Sequence, residues 1–184
     1  DVSKTGNDLT RISKRMKEEE TVRQTQRIAI DFENEVADLL YGQSGYYNKG
    51  GEDAVASAQT AREDLNKIIQ GRIESIQDRD VKQRFQTYAA SKLRSEIPNM
   101  AKHSVAEGRK SATILSETRQ ANAMQEAIEN RASPASIMAA LETGFEAIDT
   151  AAAMNGLPAE TIDAQKRQFE SAVHMKIIES YGAD

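Results

Sequence analysis

The sequence predicts an all-α protein, and three observations support this fold class. Apolar residues recur every three or four positions along nearly the whole chain, which is the period of a helix with one buried face. Strand-like alternation of β-branched and aromatic residues is scarce. The composition is 39% hydrophobic, 29% charged and 5% aromatic, with 10 Gly and only 3 Pro, a mixture typical of helices. We therefore expect an elongated helical bundle of about five helices, with a long kinked central helix and a C-terminal antiparallel helical hairpin.

The first predicted helix begins near Asn7 or Asp8, either of which can cap free amides, and ends near Leu40. A polar run at 17–20 divides its apolar stripe into two parts. The first part is Leu9, Ile12 and Met16, and the second is Ile28, Phe32, Val36 and Leu39. The first half is therefore predicted to be poorly buried, as a free-standing arm or as one strand of an oligomeric coiled coil.

The segment 41–51 is the clearest predicted turn, because it holds four glycines that stop a helix and permit positive φ. A second helix is expected to begin near Asp53, with Gly71 ending or loosening it. The third helix is expected to start at a cap on Asp78 or Asp80 and to reach about residue 130. At nearly fifty residues it would be roughly 75 Å long, so either the molecule is elongated or this helix breaks. Pro98 is the predicted kink.

The C-terminal hairpin is predicted from residues that typically begin and end helices. Ser133 and Pro134 make a standard helix opening, and Asn155–Gly156 closes that helix before Leu157–Pro158 opens the next. The connection is so short that the two helices must run antiparallel and share their apolar faces. We expect Phe169 to be buried against Phe145 or Ile148. The predicted segments are an arm at 1–40, the turn and long helices at 41–132, and the hairpin at 133–184, together forming one all-α unit.

Composition excludes several classes of function. The chain has no cysteine, which excludes disulfides, thiolate metal sites and thiol nucleophiles, and its two histidines leave little room for a metal cluster. The net charge of −5 argues against a dedicated nucleic-acid binder. The apolar runs are shorter than a bilayer span, so we expect no transmembrane segment. The first residue is Asp rather than Met, and we expect the chain to be a piece of a longer protein.

The candidate polar sites each have a simpler structural interpretation. His103 and Glu107 lie four residues apart, but two ligands do not make a zinc site. His174 follows Glu170 by one turn and is expected to lie at the rim of the hairpin core. The run Glu18–Glu20 is expected to be a solvated helix face. The glycines of segment 41–51 fit neither a phosphate loop nor a dinucleotide fingerprint. We therefore predict no catalytic, metal-binding or cofactor-binding residues.

Two groups of residues are candidates for partner contact. One is the exposed start of the first helix, and the other is a group of tyrosines, a residue type that is large, fairly rigid and amphipathic. For the tyrosines the alternative is that they fold back on the adjoining helix ends. The candidate contact residues are Leu9, Ile12, Met16, Tyr41, Tyr46 and Tyr47.

A series of landmarks runs in a fixed order from about Phe32 to the C-terminus. The first are a Leu-x-Gly-x-x-Gly turn, an Asp-Ala helix start, a Leu-x-Lys motif with a later glycine, an Asp-x-x-Val-x-x-x-Phe pattern and a Met-x-x-His pair. In this chain they are Leu40, Gly42 and Gly45; Asp53 and Ala54; Leu65, Lys67 and Gly71; Asp78, Val81 and Phe85; and Met100 and His103. Those of the hairpin are Ser133, Pro134, Ala140, Leu141, Gly144, Ile148, Asn155, Gly156, Glu160, Phe169, Val173, His174 and Ile177.

This order resembles a helical segment of large virion proteins of tailed bacteriophages, of the internal or ejection type or the tail-associated type. The chain departs from the pattern at Arg79, where proline is usual, and at Glu107, where glutamine is common. The resemblance implies a structural role without catalytic residues, and partners that are further copies of the chain or other virion proteins. It also implies location in the virion, with delivery to the host envelope for an ejection-type protein, and in the cytoplasm during assembly.

A different class of function stays open. A bacterial sensor or secretion-type helical bundle would use the charge-mixed first helix as a signalling arm and would bind a ligand or a partner protein. Such a bundle needs a few polar groups that converge between its helices, and the sequence alone points to none.

Overall fold

The computed structural model describes the backbone of residues 2–182 and the side chains of residues 8–182. Within that range the chain forms five α-helices, one short 3₁₀ turn at Tyr46–Asn48 and no β-strand. The helices are α1 (Val2–Tyr41), α2 (Gly51–Ser75), α3 (Arg79–Glu129), α4 (Pro134–Asn155) and α5 (Ala159–Tyr181). The predicted all-α class with about five helices is confirmed.

The chain divides into two compact units, Asp1–Ser104 and Val105–Asp184, and the boundary falls inside α3. Unit 1 contains α1, the Gly-rich turn, α2 and the first half of α3. Unit 2 contains the second half of α3 together with α4 and α5. This boundary lies within 41–132, the second of the three segments predicted from the sequence.

The core of unit 1 is built around an aromatic contact between α1 and α3. The rings of Phe32 and Phe85 are perpendicular with centroids 5.4 Å apart, which is a favourable edge-to-face arrangement. Helix α2 packs against α1, and apolar residues of all three helices surround the ring pair. The buried cluster is Phe32, Val36, Leu40, Tyr46, Ala61, Leu65, Ile69, Ile76, Val81, Phe85, Ala89 and Met100.

The core of unit 2 repeats this arrangement between α4 and α5. The rings of Phe145 and Phe169 lie edge to face at 6.2 Å, and Phe169 is buried, as predicted. The helices run antiparallel, since Asp149, one turn after Phe145, pairs at 2.7 Å with Lys166, which precedes Phe169. Gly144 is buried directly under the Phe169 ring, where even a methyl group would clash. Glycine at this position lets the ring approach the α4 backbone.

Three predicted helix ends are confirmed by their hydrogen bonds. The Asp78 carboxylate accepts from the backbone amides of Asp80 and Val81, so Asp78 is the cap of α3. The Ser133 hydroxyl accepts from the amide of Ser136 at the start of α4. Gly156 ends α4 with a φ of 64°, in the left-handed region that favours glycine.

One predicted helix start is wrong, and a second is two residues from the observed start. Helix α1 begins at Val2, so Asn7 and Asp8 lie inside it and do not cap it. Helix α2 begins at Gly51, which has a φ of 57°, and Asp53 lies in its first turn. A carboxylate in the first turn stabilises the positive end of the helix dipole, so the residue favours the helix without being its cap.

Neither Gly71 nor Pro98 ends its helix. Helix α2 continues through Gly71, which is exposed, and a single glycine in an exposed helix costs only about 1 kcal/mol. Helix α3 likewise continues through Pro98. A bend at Pro98 stays a prediction.

Replacing Phe169 with alanine should lower the free energy of unfolding by about 3–5 kcal/mol, because the substitution leaves a cavity over Gly144 that the backbone cannot fill. Urea unfolding followed by circular dichroism measures this change. Ile178→Ala is the matched control, since Ile178 lies on the same helix but is exposed. Equal effects of the two substitutions would show that Phe169 is not a core residue.

Candidate functional site

The first candidate site is the tyrosine group of the Gly-rich turn, which the structure brings together with His103. The rings of Tyr46 and Tyr47 lie 5.2 and 5.3 Å from the His103 ring, both edge to face. Tyr41 contacts Tyr47 with centroids 5.0 Å apart. The turn between α1 and α2 therefore packs its aromatic side chains on α3.

The hydroxyls of Tyr46 and Tyr47 and one ring nitrogen of His103 have hydrogen-bond partners. The Tyr46 hydroxyl donates to the carbonyl of Met100 at 3.0 Å. His103 Nε2 lies 2.9 Å from the carbonyl of Lys49, and because a carbonyl only accepts, this nitrogen carries the proton. The Tyr47 hydroxyl donates to Glu96, a buried carboxylate. The cluster thus fastens the turn to α3 through several hydrogen bonds.

The environment keeps the two phenols protonated. Burial raises the pKa of Tyr46 above its usual value. Burial also raises the pKa of Tyr47, and the negative charge of Glu96 raises it further. Lys92 forms an ion pair with Glu96 at 3.2 Å and compensates the buried carboxylate. These groups act as hydrogen-bond donors and counter-ions, which is a structural role.

The three tyrosines predicted for partner contact differ in how far they are buried. Tyr46 is buried in the unit 1 core, so its assignment to a contact surface is wrong. It folds back because its ring fills the space beside Met100 while its hydroxyl still finds an acceptor. Tyr47 is half-buried, and only Tyr41 is largely exposed. Tyr46 and Tyr47 fold back on the protein, where both pack on the middle of α3 and Tyr47 also contacts Tyr41 at the end of α1.

Gly45 is essential to this turn for a reason that sequence reasoning missed. It is buried, and a side chain there would lie 2.7 Å from backbone atoms of Leu40 and Gly42. The glycine is required by a close approach of backbone to backbone and not by a positive φ, because Gly45 has a φ of −66°. Its spacing from Gly42 signals a turn but does not reveal this contact.

The second candidate site is the start of α1. Residues 8–20 are exposed throughout, as the interrupted stripe predicted. Leu9, Ile12 and Met16 have 63%, 56% and 65% of their surface exposed. The acidic run that follows is solvated as expected, and Glu20 accepts hydrogen bonds from Arg23 and Gln24 on the same helix.

A cleft of about 900 Å³ lies between α1 and the first turns of α3 in unit 1. Two exposed ion pairs link the helices there, Lys17 to Asp80 at 3.9 Å and Arg84 to Glu18 at 3.5 Å. The charges of this cleft are therefore largely balanced, and exposed pairs of this kind contribute little to stability. Its threonine hydroxyls donate to carbonyls of their own helices.

Tyr88 lies at the inner end of this cleft. Its hydroxyl donates to the Glu33 carboxylate on α1, and its ring contacts Phe32 edge to face at 6.2 Å. Burial raises the pKa of Tyr88 to about 12, and the hydrogen bond and charge of Glu33 act in the same direction. This contact links the polar cleft to the apolar core.

The two histidines lie in different environments. His103 is held by the turn, whereas His174 is exposed on α5 and lies 4.0 Å from Glu170. Glu107 lies 3.9 Å from Lys110. Among residues that the structure describes, no three His, Cys, Asp or Glu side chains are grouped in a way that could hold a metal ion.

A second cleft, of about 540 Å³, lies in unit 2 between α3, α4 and α5. Sequence reasoning missed it. The available signal was the pair Ser116 and Gln120, two polar residues one turn apart on the side of α3 that carries Ala123 and Ala127 toward the core.

No known protein family, curated protein sequence or solved structure matches this chain. None of the helices in the described part of the chain is both long and apolar enough to cross a membrane.

The stability of the protein should fall as the pH rises from about 10 to about 12. A tyrosine in the unfolded chain loses its proton near pH 10, whereas folded Tyr88 keeps its proton until about pH 12. Tyr88 therefore contributes fully to the free energy of unfolding below pH 10. This contribution is lost as the pH rises through the pKa of Tyr88 in the folded state.

Urea midpoints between pH 8 and pH 12 measure this loss. Tyr88→Phe should make the decrease shallower, and Tyr41→Phe, at an exposed tyrosine, is the matched control. An identical pH dependence in wild type and Tyr88→Phe would contradict the assignment.

Proposed function

We propose that this chain is a non-enzymatic assembly module that acts by helix packing and oligomer contacts, through the exposed apolar stripe at the start of α1. The observation that carries the proposal is the position of that stripe, formed by Leu9, Ile12 and Met16. It lies on the side of α1 that faces away from the core of unit 1.

The direction of the stripe follows from helix geometry. Thr21 is the buried residue of α1 nearest to it, and successive helical residues are rotated by roughly 100°. Ile12 lies nine residues before Thr21, Met16 lies five residues before it, and Leu9 lies twelve residues before it. At this rotation per residue, the three side chains point roughly 120–180° away from the direction of Thr21 around the helix axis. The side of α1 that packs on the rest of unit 1 is therefore not the side that carries these three residues.

The energetics favour a partner for this stripe. A helix end that is exposed on all sides is marginally stable in water, because packing supplies most of the stability of helices in proteins. Burying side chains of this size contributes about 1.5–3 kcal/mol each when they are fully covered. A second copy of the chain offers the same stripe, and two identical stripes can pair across a two-fold axis.

The polar groups of unit 1 support a role without catalysis. The His103 and tyrosine cluster is occupied in fastening the turn, and the cleft beside α1 is lined by ion pairs and by threonines bonded to their own backbone. These residues already have structural partners, so we assign no catalytic, metal-binding or cofactor-binding residue.

The setting we propose for this module is a virion protein of a tailed bacteriophage, of the ejection or tail-associated type. The support for this part is the order of sequence landmarks. The partners would then be further copies of the chain or other virion proteins, and the location would be the virion, with the host envelope for the ejection type. Genes for capsid, portal and tail proteins on either side of this gene are the expected finding, and a neighbourhood of metabolic or signalling genes would contradict the setting.

The wild-type chain should self-associate, and replacing Leu9, Ile12 and Met16 together with serine should make it monomeric. Sedimentation velocity over a range of protein concentrations measures the change. Point substitutions test the stripe alone. A deletion of residues 1–27 would also remove Thr21, which is buried in the packed part of α1.

The matched control replaces three equally exposed apolar residues of unit 2, Met138, Met175 and Ile178, with serine. This control should still self-associate. A wild-type protein that sediments as a monomer throughout, or a control that loses association while the α1 variant keeps it, would overturn the proposal.

A further inference from the structure

We propose that the cleft of unit 2 is a binding site for a small organic cation, an amine with an apolar body. This inference goes beyond the assembly role and does not depend on it. The cleft lies between three helices and has a volume of about 540 Å³, within the range of about 300–1,000 Å³ that is usual for sites of small molecules.

The floor of the cleft is apolar. It contains the ring of Phe169 together with Met124, Ile148 and Leu157, and four alanines complete it without filling it. An aromatic ring and a thioether make favourable contacts with a flat or aliphatic ligand body. The floor therefore favours a ligand with one apolar face.

The polar residues of the cleft provide acceptors for a ligand. Both amide hydrogens of Asn155 are already used, one donated to the Thr113 hydroxyl at 3.3 Å and one to the Ala151 carbonyl at 2.8 Å. The Asn155 side chain therefore retains only its oxygen. Gln120 donates to the buried Ser116 hydroxyl at 3.0 Å and keeps its carbonyl oxygen as an acceptor. Gln165 and Gln168 also line the cleft with amide groups that donate as well as accept, so the neutral polar groups accommodate a donor without selecting for one by themselves.

The charge of the cleft is negative. Glu117 contributes a carboxylate, and among the described residues no lysine or arginine lines the cleft. Two cations near the cleft are engaged elsewhere. Lys166 forms an ion pair with Asp149 at 2.7 Å, and Arg109 donates to the carbonyl of Met154 at 3.3 Å.

These features together select the ligand class. An anion would be repelled by Glu117, and a neutral ligand would cover that carboxylate without compensating its charge. An ammonium group attached to a ring or a short alkyl chain can pair with Glu117 while its apolar part lies against Phe169 and Met124. Aromatic monoamines have this chemistry and fit the volume.

The test uses the full chain and three compounds of nearly the same shape: 2-phenylethylamine, the neutral 2-phenylethanol and the anionic phenylacetate. Titrations followed by amide NMR should show saturable shifts with the amine at residues 113–124, 148–157 and 165–172. The amine should bind roughly fivefold or more tightly than the alcohol, which corresponds to an ion pair of about 1 kcal/mol in a partly exposed site.

Glu117→Gln should reduce amine affinity to that of the alcohol and leave alcohol binding unchanged. Glu126→Gln, at an exposed carboxylate on the same helix but outside the cleft, is the matched control and should change neither affinity. Thermal unfolding of both variants checks that they are folded. The proposal is overturned if the amine gives no saturable shifts up to about 10 mM, a concentration that would reveal even weak binding. It is equally overturned if the alcohol binds as tightly as the amine, or if the two variants behave alike.

Discussion

Edge-to-face contact between phenylalanines is the interaction on which both halves of this protein depend. The chain has four phenylalanines and no tryptophan, and all four are used in two pairs, Phe32 with Phe85 and Phe145 with Phe169. One pair joins α1 to α3 and the other joins α4 to α5, and each pair lies in the core of one compact unit. With 5% aromatic residues, the sequence has few other large side chains with which to hold a core together.

Small residues decide how closely the remaining helices approach these rings. In unit 2, Gly144 leaves room for Phe169, and buried alanines such as Ala123 and Ala127 let α3 come near the hairpin at one end. Nearer the start of α3 the same side carries Ser116 and Gln120, whose polar groups bond to each other. These two residues line the cleft in unit 2.

Polar groups in unit 1 serve a different purpose. The Gly-rich turn could not pack on α3 by apolar contacts alone, because Tyr46 and Tyr47 bring hydroxyls into a buried region and each hydroxyl needs an acceptor. The Met100 carbonyl and the Glu96 carboxylate meet that need. The turn is thereby held to α3, whereas the side chains of residues 8–20 near the start of α1 are exposed.

The sequence alone predicts the helical class, the approximate helix count, a cap at Ser133, another at Asp78 or Asp80, and the burial of Phe169 against Phe145 or Ile148. These features follow from local periodicity and from residues with strong conformational preferences. It also predicted the exposure of the α1 start, because an interrupted stripe is visible in one dimension. Only the tertiary structure decided that Tyr46 is buried while Tyr41 is exposed, that Gly45 is required by a backbone contact, and that polar residues of three helices meet in one cleft. The burial of Tyr46 and the meeting of three helices in one cleft depend on distances between residues far apart in the chain. The Gly45 contact depends on the path of the backbone within the turn, which the residue pattern does not encode.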